Sequence, residues 1–319
     1  MKKTDTSHST AVCVIGGDAR QRYLAQALAD KGYRISAYAL IKPSETPCKT
    51  DSRNERLAIN RSLETDISDN HIFLTHHNNL SDALSSCKTV ILPFPLSPDG
   101  ITLNCAEAER PTLREIFAAI SESCHADVRV YGGAIKEGAR DVAASFGIDL
   151  TDYGAFDEIA LENAVPTAEA AVQLAMQSLN VTVRGSGFAV IGYGRCGSEL
   201  ARLLKAMGGN VCAVARSGRD RAKMRNDGVT PLDFQSLAEA VNGSDITFNT
   251  VPFNVFDCDT LKRLSEGRII IELASAPGGV DRECAALYGV KVIHAPSLPG
   301  KYAPKTAAEI IARALIPVL

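Results

Sequence analysis

Short apolar runs recur along this chain, most of them ending in glycine or proline and followed by apolar residues at helical spacing. In the first half they are Ala11–Ile15, Arg34–Leu40, Lys88–Pro93 and Val128–Gly133. In the second half they are Phe188–Ile191, Asn210–Ala215, Ser244–Pro252, Arg268–Glu272 and Val290–His294. Apolar runs without strict alternation mark strands covered on both faces of a parallel sheet. Their regular alternation with helical patterns predicts an α/β protein with two doubly wound parallel-sheet domains and a cleft between them. We place the first domain at residues 1–150, completed by a C-terminal helix within 304–319, and the second at 151–303. A long helical pattern from Tyr153 to Asn180, broken at Pro166, leads into the second domain. Thr167 is placed to cap its second segment. Residues 41–80 are polar and rich in turn formers, which predicts irregular chain with at most one short helix.

The chain has 319 residues, with 45% hydrophobic and 22% charged residues, the balance of an ordinary globular protein. A net charge of −3 gives no basic field for nucleic acid, and no apolar run approaches the roughly twenty residues of a membrane span. The first ten residues lack an apolar core, so no secretory signal is expected. The nine cysteines form no C-x-x-C and none has a nearby His at zinc-ligand spacing. We expect reduced thiols in a cytosolic protein, and no metal site. His76-His77 has no Cys or carboxylate neighbour that would make it one.

The most informative stretch is Phe188-Ala-Val-Ile-Gly192-Tyr-Gly194-Arg195-Cys196-Gly197, an apolar strand entering G-x-G-x-x-G and a helix. That context makes the motif a dinucleotide fingerprint, and the domain Rossmann-like. Gly192 allows the tight turn, Gly194 lets the backbone approach a pyrophosphate, and Gly197 lets helix pack on strand. The amides of the helix start, at Arg195 and Cys196, face the phosphates. After the next strand the chain reads Ala215-Arg216-Ser217-Gly218-Arg219, with no acid before Asp220. An acid there would bond a free ribose hydroxyl, whereas Arg216, Ser217 and Arg219 suit a 2′-phosphate. NADP(H) is therefore the expected cofactor. Thr250 and Pro252, and Ala274 and Ser275, end the next two strands where the nicotinamide half is expected.

The first domain opens on a similar turn, Ile15-Gly16-Gly17-Asp18-Ala19-Arg20-Gln21, but Asp18 and Gln21 stand where the second and third glycines belong. A carboxylate there repels a pyrophosphate, so this copy is read as serving another ligand. Asp18 is a helix cap, and Arg20 in the first turn is a carboxylate clamp. Ser97 and the Gly132-Gly133 backbone, at strand ends, are candidate hydrogen-bonding groups.

Taken together, Val14–Gln21, Val165–Glu169, Gly192–Gly197, Ala215–Ser217, Leu273–Gly279, Ala295–Gly300 and Ala303–Thr306 resemble the A-subunit family of dipicolinate synthases. The resemblance covers nearly the whole chain except 41–80, and it implies the two-domain plan of formate and glycerate dehydrogenases. It also implies NADP-dependent oxidation of a dihydrodipicolinate-type ring to pyridine-2,6-dicarboxylate. A flavoprotein-like B-subunit is the implied partner, and the mother cell of a sporulating bacterium the implied setting; an oligomer is expected. A substrate with two carboxylates wants cations at both ends, so Arg20 is the first clamp and Lys301 and Lys305 are candidates for the second. Asp18 or Glu169 is a candidate proton acceptor, and Thr167 a further ligand group. Two alternatives stay open. In a 2-hydroxyacid dehydrogenase reading, the loop after Glu272 lacks the expected Arg, and His294 is taken to pack inside its strand. In the other, the chain is a non-catalytic NADP-binding regulatory subunit.

Overall fold

In the computed structural model, which describes residues 11–40, 73–106, 110–125 and 127–319, the chain forms two compact units. One comprises Met1–Ile159 with Pro304–Leu319, the other Ala160–Ala303. The first unit contains strands β1 (Ala11–Ile15), β2 (Arg34–Tyr38), β3 (Leu74–His77), β4 (Thr89–Ile91), β5 (Arg129–Gly132) and β6 (Leu150–Asp152). They form one parallel sheet in the order β3-β2-β1-β4-β5-β6. Its helices are α1 (Ala19–Asp30), α2 (Leu80–Leu84), α3 (Leu113–Ser123) and α4 (Glu137–Ser145). Helix α3 is fixed by a capping box in which Thr112 and Glu115 satisfy each other's end amides.

Helix α5 (Asp157–Glu162) crosses the boundary, and α6 (Ala164–Ser178) opens the second unit. There follow β7 (Gly187–Ile191), α7 (Arg195–Ala206), β8 (Asn210–Val214), α8 (Gly218–Asn226), β9 (Thr230–Leu232), α9 (Leu237–Asn242) and β10 (Ile246–Asn249). The unit closes with α10 (Cys258–Leu261), β11 (Ile269–Glu272), α11 (Arg282–Leu287), β12 (Lys291–His294) and α12 (Leu298–Tyr302). The second sheet is also parallel, in the order β12-β11-β10-β7-β8-β9. Helix α13 (Pro304–Leu315) returns to the first unit and packs along α1. Seven of its residues, all apolar, are buried there. Both sheets run 3-2-1-4-5-6, the doubly wound order in which a crevice opens at the carboxyl ends of the two central strands.

Four expectations need correction. Residues 74–77 are not irregular: β3 adds an edge to the first sheet through ladder pairs such as Ile35 with Leu74 and Tyr38 with His77. Its Leu-Thr-His-His run is too polar to signal a strand, because an edge position buries little. Residues 41–72 of that stretch lie outside the described residues. The helical break falls at Asn163, before Pro166, which sits in the first turn of α6 where a missing amide hydrogen costs nothing. Thr167 is not a cap; its hydroxyl donates back to the Asn163 carbonyl at 2.7 Å. Finally, Cys258 and Cys284 are joined as a disulfide with Cα atoms 5.3 Å apart, so this pair is not two free thiols.

Candidate functional site

At the fingerprint turn, three glycines are required for three different reasons. Gly192 has φ +94°, and a Cβ on it would lie 2.4 Å from Thr250 Oγ1 and 2.9 Å from Val251 Cγ2. A Cβ on Gly197 would lie 2.3 Å from the Gly192 carbonyl oxygen. Gly194, by contrast, has nothing within 4 Å on that side. The first and third glycines are consumed by internal packing, while the middle one faces room for a ligand, the cradle a pyrophosphate needs. Thr250 locks the turn from the next strand, its hydroxyl donating to the Ile191 carbonyl at 2.8 Å.

A cavity of about 220 Å³ opens beside this turn, lined by Gly192, Tyr193, Ala215, Arg216, Ser217, Asp220, Phe234 and Val251. Arg216 and Ser217 are exposed at its rim. Ser217 also caps α8 by accepting from the Asp220 amide. Asp220, the first acid after β8, itself lines the cavity, 4.0 Å from Lys223. Arg219 is exposed on α8 and is not among the lining residues. Arg195 is exposed at the start of α7, next to the half-buried Cys196. The Cys196 thiol is pushed up by burial, against the Arg195 charge and a hydrogen bond with Thr167. Thr167, expected to serve the substrate, is thus brought to the fingerprint helix. The residues present fit a dinucleotide phosphate at Gly194.

Beyond the cavity, the strand ends are tied together. Asn249 and Glu272, buried at 0% and 2% exposure, close β10 and β11. Glu272 Oε1 accepts from Asn249 Nδ2 at 2.9 Å and from the Ala274 amide at 3.3 Å; Oε2 accepts from the Gly279 amide at 3.2 Å. Burial holds the Glu272 carboxyl above the usual range, against these hydrogen bonds and the Arg282 charge. The Ala274 amide is therefore engaged internally rather than offered to a cofactor, and its carbon is buried; Ser275 and Pro252 are exposed. His294 is also exposed at the end of β12, not packed within it. Burial, Arg282 and Lys301 together press its imidazole below the ordinary value. Lys301 is exposed on α12, Lys305 on α13 of the other unit, and Glu169 on α6.

The first unit's glycine turn is filled by the protein itself. The Gly17 amide donates to the Asn104 carbonyl at 2.6 Å, and a Cβ on Gly16 would lie within 3.3 Å of Leu103, Asn104 and Cys105. Gln21 folds over Gly17, where a Cβ would lie 2.1 Å from its Cγ, in the place a pyrophosphate would take. Asp18 caps α1 by accepting from the Arg20 amide, and its carboxylate also grips the Arg20 guanidinium at 2.7 and 2.9 Å. The Arg20 side chain is 4% exposed; its guanidinium donates to the Phe94 carbonyl and lies 5.2 Å from the Phe94 ring centre. Arg20 and Asp18 thus pin the loop after β4, which corrects their reading as an open clamp and a free base. Ser97 likewise donates to Asp99 and accepts from the Gly100 amide. Gly133 exchanges backbone bonds with Pro93 and Leu96, with the Phe94 ring against its Cα; Gly132 belongs to β5. Sequence reasoning gives no site role to Asn249, Glu272 or Asp220. A buried-strand run ending in an acid, as Arg268–Glu272 does, was the available signal for Glu272.

Cys258, Asp281 and Cys284 place donor atoms within 4.8 Å of one another, but the two sulfurs bond each other and Asp281 caps α11.

Residues 161–284 match the family described as D-isomer specific 2-hydroxyacid dehydrogenase, NAD binding domain, and residues 11–74 match the dipicolinate synthase A-subunit N-terminal domain. The chain is 36% identical over 190 residues to the dipicolinate synthase A-subunit of Bacillus subtilis (strain 168), covering 60% of this chain and 64% of that protein. The alignment thus spans somewhat under two thirds of that relative's length. The crystal structure of the dipicolinate synthase A-subunit from Bacillus halodurans superposes with a TM-score of 0.82, at 26% identity and 97% coverage of both chains. The A chain of dipicolinate synthase from Bacillus subtilis gives 0.78 at 27% identity, covering 97% of this chain and 95% of that one. With two 3-2-1-4-5-6 sheets, a dehydrogenase-type nucleotide turn and these likenesses, the chain is similar to the A-subunits of dipicolinate synthases along nearly its whole length.

Proposed function

We propose that this chain is an NADP-dependent dehydrogenase that oxidises a dihydrodipicolinate-type ring to pyridine-2,6-dicarboxylate, working with a flavoprotein-like B-subunit. The observation that carries the cofactor half is the open side of Gly194 beside a cavity rimmed by Arg216 and Ser217. NADP⁺, when bound, supplies the hydride acceptor; the ring loses a hydride and a proton and becomes aromatic. Because aromatisation drives the step, the residues need mainly orient the ring and exclude water. Gly192 and Gly197 shape the turn so that Gly194 and the α7 N-terminus can hold the pyrophosphate, where the helix dipole favours negative charge. Arg216 grips the 2′-phosphate. Lys301, exposed and beside His294, is the cation we assign to a substrate carboxylate. Glu169 remains our candidate to take the ring proton through water. The mother-cell cytoplasm of a spore former is the proposed setting.

The loop Leu273–Gly279 contains no arginine, which disfavours a 2-hydroxyacid substrate. The test is to follow NADPH at its reduced-nicotinamide band, using freshly made product of dihydrodipicolinate synthase, with and without the B-subunit. Growth of that band together with the pyridine dicarboxylate absorbance supports the reaction and shows whether the partner is needed. Absence of both, with NADP⁺ still bound, would reject the catalytic reading and leave a nucleotide-binding subunit.

A further inference from the structure

Glu272 is a buried carboxylate that no step above uses. Three N–H groups converge on it, from Asn249 Nδ2, Ala274 and Gly279. Asn249 in turn holds Val251 at both ends of its peptide: the Val251 amide donates to Oδ1 at 3.1 Å, and Nδ2 donates to the Val251 carbonyl at 3.1 Å. Val251 lines the nucleotide cavity and would touch a side chain at Gly192. On the far side, the Gly279 carbonyl accepts from the amides of Val255 and Phe256. Gly279 fits there for want of a Cβ, which would lie 2.4 Å from Asn249 Nδ2 and 2.5 Å from the Val251 carbonyl oxygen. One carboxylate therefore joins the segments 250–256 and 273–279 into a single knot against the cavity.

Burial raises the folded-state pKa of Glu272 against these hydrogen bonds, so its own contribution to stability falls as pH rises through that value. A buried carboxylate kept at such a cost beside a ligand cavity is the kind of local conflict expected at functional positions.

We infer that Glu272 is a positioning residue, acting through Asn249 and Gly279 to set the two strand-end segments that receive the nicotinamide half of the cofactor. In a 3-2-1-4-5-6 sheet the adenosine half lies over the strands carrying Arg216, and the other half over β10 and β11. The inference rests on the nucleotide reading proposed above. A glutamine cannot replace this carboxylate. With its oxygen at the Oε1 position, its amide nitrogen faces the Gly279 N–H; turned over, it faces Asn249 Nδ2 and the Ala274 N–H.

The experiment compares the full-length wild type with Glu272→Gln for binding of NADPH, followed by its fluorescence, and of 2′,5′-ADP, which carries only the phosphate-bearing adenosine half. The expected result is NADPH binding weakened about tenfold (roughly 1.4 kcal/mol) with 2′,5′-ADP, which meets only Val251 of these segments, weakened several-fold less, a split that general destabilisation would not give. Equal affinities of variant and wild type for NADPH, or equal loss for both ligands, would overturn the inference. If wild type binds neither ligand, the nucleotide reading fails instead. Should the variant not fold, hydrogen exchange on the wild type decides. Because coupling is reciprocal, NADPH must slow exchange at the amides of Val251, Ala274 and Gly279; unchanged rates there would refute the role.

Discussion

Adding one methyl group at Gly192 and at Gly194 should produce opposite phenotypes from positions two residues apart. Alanine at Gly192 must hold φ +94° and place its Cβ 2.4 Å from Thr250 Oγ1 and 2.9 Å from Val251 Cγ2. The left-handed backbone costs about 1–2 kcal/mol and the overpacking about 1–3 kcal/mol, so the total is about 2–5 kcal/mol. At roughly 2–4 °C per kcal/mol for a domain of this size, the melting midpoint of the second unit should fall by roughly 5–20 °C. Gly194 has φ −77° and open space where its Cβ would be. Alanine there loses a little as a helix cap and gains by restricting the unfolded chain, leaving stability within about 0.5 kcal/mol. Its methyl group nevertheless occupies the approach of the pyrophosphate, so NADPH affinity should drop at least about tenfold. Thermal melts by circular dichroism and NADPH fluorescence titration on both variants are sufficient. A Gly194→Ala protein that keeps wild-type NADPH affinity would refute the placement of the phosphate. A Gly192→Ala protein that melts with wild type would refute the packing argument.

Arg216→Ala should weaken NADP⁺ binding by about 10–100-fold, the loss of a charge-assisted hydrogen bond of about 1.5–3 kcal/mol, with NAD⁺ binding little changed; equal effects on both would remove Arg216 from the 2′-phosphate. Arg20→Ala leaves the half-exposed Asp18 and the Phe94 carbonyl without their shared partner, so the first unit should lose about 2–4 kcal/mol, read as a lower melting midpoint with NADPH affinity intact. Reducing the Cys258–Cys284 bond, which closes a sequence separation of 26 residues, should cost about 3 kcal/mol, and thiol titration of the denatured chain should find two more thiols after reduction than before. Asp99 is held below the ordinary carboxylate range by hydrogen bonds from Thr102, Ile101 and Ser97. Its contribution is therefore fully present above that range and is lost as pH falls from there through the lowered folded-state value, so Asp99→Asn should show a shallower acid limb in stability against pH.

Fold class and nucleotide turn are legible in the chain alone, because both are written in local patterns. Strand runs, helix periodicity and Gly192-Tyr-Gly194-Arg-Cys-Gly197 each lie within about one turn of chain geometry, where spacing dictates conformation. Even the failure of the first glycine turn was legible, since Asp18 and Gln21 occupy the positions of two glycines. What Arg20 does was not, because its role depends on Phe94, brought to it by the crossover from β1 through β4. The same holds for Leu103–Cys105 closing over Gly16, for β3 gaining its place from β2, and for the Cys258–Cys284 bond. Asn249 and Glu272 read as ordinary strand ends in the chain and become a buried pair only when β10 and β11 lie side by side. Periodicity specifies which face of an element is apolar; which polar group meets which across a sheet is decided by topology, and burial then forces each such group to find its partner.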